Sequence, residues 1–368
     1  MKKNTLGIIR NILFFLAFLA IGGTVGIFIA KNLSGIGFWG IILLISILIM
    51  SFILTIQLHE IGHFLFGKLS GYNLLMLKVG PFCYKYENGV YKFFIDITIG
   101  YAGLCMMIPP EKEISEKRHV LYYAGGIIMN ILTGCIAIYL AILFPYWNPY
   151  LVLALWIFGG ISLILGGTNL IPTTNRNKPT DGKIIFSYLH KEKLAQDITF
   201  LNTVMQQLVA GVRPRDIALL NQPLEDVEDV DIHFIYRIMW HLNNALDHKD
   251  KEKMAYCARL MEKHSDKIPT SIELQVKFEF CCAYCMLGEN RKAQEFYTAV
   301  RSWAERENDM CGYRVKAYIA YYLLRDINQA TTYCKKAMFV ADSFPMKGQA
   351  IMEQRLINSL LASIYQSR

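Results

Sequence analysis

His59, Glu60 and His63 stand in the order His-Glu-Ile-Gly-His, the H-E-x-x-H spacing. On a helix, residues four apart share a face, so the two imidazoles can hold one zinc ion while Glu60 takes a proton from its water. The plainer alternative is two interfacial histidines at a helix end with a solvated glutamate between them. The motif continues an apolar run, where ionisable side chains are costly and carry a functional reading by default. A catalytic zinc needs a third protein ligand and an open position. Asp96, Glu111, Glu113, Glu116 and Asp181 are the downstream candidates. Asp181 stands out because Asp181-Gly182 follows an apolar stretch ending Asn169-Leu170-Ile171-Pro172, which should bring the chain back to the face of His63; read plainly, Thr180-Asp181-Gly182 is a turn or helix cap. Cys282-Ala-Tyr-Cys285 has no second pair and reads as a packed helix face, and His119 and His190 read as packed or interfacial.

These residues need elements to hold them. The chain has 368 residues, 54% hydrophobic and 18% charged, which excludes a disordered or fibrous protein. Residues 1–190 carry 14 Lys/Arg and 7 Asp/Glu, whereas residues 191–368 carry 24 and 23. The positive excess therefore sits in the apolar half, which points to a lipid bilayer and away from nucleic acid. Nine cysteines with no disulfide-framework spacing suit a reducing cytosol. Uncharged runs at 11–30, 32–58 and 120–175, the last divided by an aromatic turn at Pro145–Tyr150, predict four spans at about 9–30, 37–58, 119–144 and 150–171. A cleaved signal peptide is the rival for the first, but its cleavage context is poor and a second span follows at once. Lys2, Lys3 and Arg10, then Lys68 to Arg118, then Arg176, Lys178 and Lys183 all belong inside, so both termini are expected in the cytosol, with a bacterial cytoplasmic membrane as the setting.

The β region is 74–108. Tyr91 to Ile99 alternates with period two and predicts a half-buried strand, joined through Asn88-Gly89 to Phe82–Glu87 as a hairpin. From about Lys183 the chain becomes polar and helix-like. Asp250 to Pro269, Glu289 to Trp303 and Asp326 to Pro345 look related, with Met254, Ala293 and Ala330 as equivalent positions on second helices. They predict a degenerate helical-hairpin array resembling tetratricopeptide repeats. The expected fold class is mainly α: a polytopic membrane helical core of about four spans with a small membrane-associated β-hairpin or sheet over residues 1–190, followed by a cytosolic α-helical repeat-like domain over residues 191–368.

Residues 37–190 resemble the site-2 protease family of intramembrane zinc metalloproteases. Three motifs in order carry the resemblance: H-E-x-G-H-F at His59 to Phe64, Gly-Gly-x-x-x-Asn at Gly125 to Asn130, and Asn169-Leu-Ile-Pro leading to Asp181-Gly182. It implies Zn2+ held by His59, His63 and Asp181, Glu60 as general base, and Asn130 contacting substrate backbone or the tetrahedral intermediate. Gly126 stands where the family commonly has proline, and the stretch from Asn169 to Asp181 is longer than the family spacing, so Thr174 to Lys178 must loop out. The expected function is an intramembrane metalloendopeptidase cleaving membrane-anchored substrates (signal-peptide remnants, pheromone precursors or membrane-tethered regulators) near the cytosolic face. A helical substrate has to be unwound, and an exposed strand from residues 82 to 99 could pair with it by β-augmentation. The tail would dock a cytosolic protein partner. Two other readings stand beside it: a prenyl-protease-like membrane zinc metallopeptidase with Glu113 or Glu116 as third ligand, and a catalytically idle membrane adaptor that recruits partners through its tail.

Overall fold

The computed structural model describes residues 37–87, 90–96, 103–112, 115–175, 178–228 and 230–366, with isolated positions before residue 37. The expected span at 9–30 lies, those positions apart, outside the described residues. Three described helices are long and apolar enough to cross a membrane: α1 (Phe38–Leu69), α2 (Glu116–Leu143) and α3 (Pro149–Leu170). α1 runs on past the expected end at 58, so the H-E-x-x-H residues ride on the same rod as the apolar run. Between α2 and α3 the rings of Phe144 and Trp147 stack 4.4 Å apart, and the Asn148 side chain caps α3 by accepting from Tyr150 N at 3.0 Å. Pro149 fills the first turn of α3, where its missing N–H costs nothing. The three helices meet through glycines. A Cβ added at Gly62 would lie 2.3 Å from the Gly125 carbonyl oxygen, and one at Gly134 3.0 Å from that of Gly159, so the helix backbones touch directly.

An antiparallel sheet in the order β3-β2-β1-β4 follows α1: β1 (Asn73–Val79), β2 (Phe82–Glu87), β3 (Val90–Ile95) and β4 (Gly103–Ile108). The Glu87↔Val90 register leaves two residues for the expected hairpin turn, Asn88 and Gly89, which are outside the described residues. The expected half-burial of Tyr91 to Ile99 is corrected. Every residue of β3 is exposed, because β3 is an outer strand with no layer packed over it; residues 97–102 are outside the described residues. The covered part of the sheet is β1 and β4, where Leu74, Cys105 and Met107 pack with Tyr72, Phe64 and Tyr122.

Ahead of Asp181, β5 (Thr174–Asn175) pairs antiparallel with β6 (Lys178–Pro179), the residues between them being outside the described ones. The base of this pair is tied by Thr180, whose hydroxyl donates to Ile171 O at 2.8 Å and accepts from Lys183 N at 3.2 Å. Thr180 thereby caps α4 (Asp181–Leu189), with Asp181 as its first residue. α5 (Lys193–Val209) and the short α6 (Ala218–Asn221) lead to helices joined by short links: α7 (Ile232–His248), α8 (Lys251–Lys263), α9 (Thr270–Leu287), α10 (Asn290–Ala304), α11 (Met310–Tyr318), α12 (Ile327–Phe339) and α13 (Lys347–Gln366). Met254, Ala293 and Ala330 each fall four residues after the cap of α8, α10 or α12, and all three are buried. Cys282 and Cys285 are buried within α9, and all nine cysteines are free. The tail core also holds Arg314, fully buried, with Nε 2.7 Å from Glu353 and Nη2 2.7 Å from Glu279.

Candidate metal centre

α1 supplies two imidazoles and α4 a carboxylate. Hydrophobic burial sets the first pair: four residues apart on one face, His59 and His63 turn inward against α2, each less than a tenth exposed. The Thr180 cap sets the third, because Asp181 opens α4 where the chain returns from α3. Gly182 makes that return fit. A Cβ there would lie 2.0 Å from Leu170 O, so α4 lies directly against the end of α3.

The ligating atoms form a small triangle. His59 Nε2 is 3.1 Å from Asp181 Oδ2 and 3.2 Å from His63 Nε2, and His63 Nε2 is 3.4 Å from the same carboxylate oxygen. Among the described residues this is the one group of three such side chains close enough to hold a metal ion. Burial alone would raise the Asp181 carboxyl; the imidazoles, His63 foremost, outweigh it and hold it well below the usual carboxylate range. The other candidate acids lie elsewhere: Asp96 pairs with Lys78 at 2.8 Å, Glu111 with Lys347 at 3.1 Å, and Glu116 opens α2 exposed. Glu113 is outside the described residues.

Around the triangle, α2 and the sheet fix each side chain. His63 Nδ1 donates to the Tyr122 carbonyl at 2.9 Å. His59 Nδ1 lies 3.2 Å from the side-chain amide of Asn130, which is itself fully buried. The His59 ring occupies the gap left by Gly126, where a Cβ would come within 2.6 Å of it. Glu60 points to the sheet: a Cβ at Gly103 of β4 would come within 2.7 Å of its Oε1, and the Cys105 backbone lies beside its carboxylate. The Tyr122 hydroxyl donates to Cys105 O at 2.9 Å, so the outer edge of β4 is occupied at that residue by α1 and α2 side chains. Tyr122 and Cys105 are absent from the motif reading because both act largely through backbone groups, which any residue type carries. The signal that could have found Tyr122 is its place one turn before the close-packed Gly125-Gly126. Comparison with protein families, with curated proteins and with solved structures finds no match to this chain.

Proposed function

We propose that the chain is an intramembrane zinc metalloendopeptidase acting on membrane-anchored peptides or proteins. The observation that carries the reading is the convergence of His59, His63 and Asp181 at the end of an apolar helix, with Glu60 beside them and not among the ligands. The donor set fits the ion: tetrahedral zinc with ligands at about 2.0–2.1 Å has edges of about 3.3–3.4 Å. The edges here are 3.1, 3.2 and 3.4 Å. Three protein ligands leave one position open, the arrangement of a catalytic site. When bound, zinc supplies Lewis acidity, bringing the pKa of water to about 7 and polarising a carbonyl. Glu60, lying against β4, accepts the proton of the attacking water at its carboxylate and passes it to the leaving amine.

An exposed, extended stretch of substrate is needed, and β3 offers the sheet's open edge. The N–H of Asp96 bonds Pro81 O at 2.7 Å, so ladder bonds fall at even positions and the backbone groups of Tyr91, Phe93 and Ile95 point outward. Among the described residues no strand pairs with them, and they would be available to an unwound segment. β4, which lies against Glu60, is about 14 Å away at three strand spacings, so a segment caught on β3 would have its scissile bond further along its chain. The basic flanks favour a multi-pass protein of a bacterial cytoplasmic membrane with cytosolic termini, and the tail is read as a tetratricopeptide-like array that docks a cytosolic partner.

Elemental analysis of detergent-purified protein tests the reading. One zinc per chain in the wild type, lost in His59→Ala and Asp181→Ala and kept in Glu116→Ala, is expected. Zinc kept in Asp181→Ala and lost in Glu116→Ala moves the chain to the prenyl-protease type. No metal in any sample leaves the adaptor role.

A further inference from the structure

We propose, on the basis of the zinc reading above, that Asn130 is a positioning residue for His59: its side-chain carbonyl accepts the Nδ1 proton and turns the Nε2 lone pair towards Asp181 and His63. A ligating imidazole binds through its unprotonated nitrogen, so the other nitrogen must carry the proton and needs an acceptor. His63 has one in the Tyr122 carbonyl, a group that can only accept. At the corresponding atom of His59 stands Asn130, 3.2 Å away. Asn130 cannot swing out to solvent, since it is fully buried and its own backbone carbonyl is bonded by the Ser162 hydroxyl at 3.0 Å.

The two ends of a carboxamide have the same shape. With nitrogen towards His59, the buried Oδ1 has no hydrogen-bond partner among the described residues. With the amide turned over, Oδ1 accepts from His59 Nδ1, and both rings then aim lone pairs at one point beside a carboxylate. A metal cation at that point makes the convergence favourable. The substrate contact that the family resemblance implies for Asn130 gives way to a contact with the metal ligand.

Zinc dissociation constants from chelator competition on the full chain test this, with turnover measured alongside. Asn130→Ala, and Asn130→Ser as a second shortened variant, are expected to weaken zinc binding by about 10–100-fold, the usual effect of losing such a partner. Asn130→Asp, which accepts but cannot donate, is expected to restore both zinc affinity and turnover. Wild-type affinity in the shortened variants overturns the proposal, and so does Asn130→Asp binding as weakly as they do. Asn130→Asp with full zinc affinity and lost turnover also overturns it, since the amide N–H would then be serving the substrate. Absence of zinc from the wild type overturns the metal reading itself, and is read before any change at position 130.

Discussion

Glu60 and Gly126 separate what the centre binds from what it does. Glu60 touches Cys105 and is no part of the ligand triangle, so Glu60→Gln should keep one zinc per chain while turnover falls by about 10²–10⁴, the usual worth of a general base. Turnover left within a few-fold of wild type would remove Glu60 from the chemistry. Gly126→Ala acts the other way. Its methyl would meet the His59 ring, held on one side by Asn130 and on the other by Asp181, and the ring must shift. Zinc affinity should drop before turnover at saturating zinc does; unchanged chelator competition would show that the ring has room. Of these residues, His59, Glu60, His63 and Asp181 were legible from type and spacing. The acceptor at His63 and the placing of Glu60 against β4 were not, because a carbonyl of Tyr122 and the backbone of a strand leave no mark in the sequence.

At the scale of elements, apolar length alone predicted α1, α2 and α3, and the Asn88-Gly89 signal predicted the pairing of the two strands beside it as a hairpin. Alternation misled at β3, since period two reports which residues share a face and not whether anything covers it. Phe82 and Phe93 stack 5.9 Å apart and Tyr84 and Tyr91 4.8 Å apart, so the aromatic rings of this hairpin cover one another. The looped segment before Asp181 was foreseen as a necessity, and its form as the β5–β6 pair tied by Thr180 was not. Phe93→Pro, read against Phe93→Ala because both lose the Phe82 stack, tests the open edge: the proline alone deletes an outward N–H, and no ladder bond goes with it. Cleavage should fall while zinc stays bound. Equal cleavage would show that substrate does not pair there.

Across the whole molecule, the tail is fastened to the apolar core by polar contacts that no local pattern announces. His119 on α2 meets the Tyr72 hydroxyl and lies 3.3 Å from the Asn202 amide of α5, and Lys347 at the start of α13 reaches Glu111. His59, His63 and Asp181 nevertheless share no residues with the tail's own core. Arg314→Met strands Glu353 and Glu279 without their cation, which should cost about 3–5 kcal/mol. The tail should lose helicity at a lower urea concentration while the full chain still carries its zinc; metal lost together with the helicity would mean that the two parts fold as one unit.

The glycine contacts among α1, α2 and α3 have a bearing on traffic. Helices whose backbones approach this closely at Gly62 with Gly125 and at Gly134 with Gly159, with Met129, Phe66, Leu163 and Ile138 packed beside them, leave no gap in those seams for a passing segment unless the bundle is pulled apart. On the proposed reading, a membrane-borne substrate would instead approach over the apolar flank of α1, where Ile41, Ile45, Ile49 and Phe52 face outward among the described residues, and descend it towards the sheet. That flank is the side on which an inhibitor dissolved in the bilayer would compete.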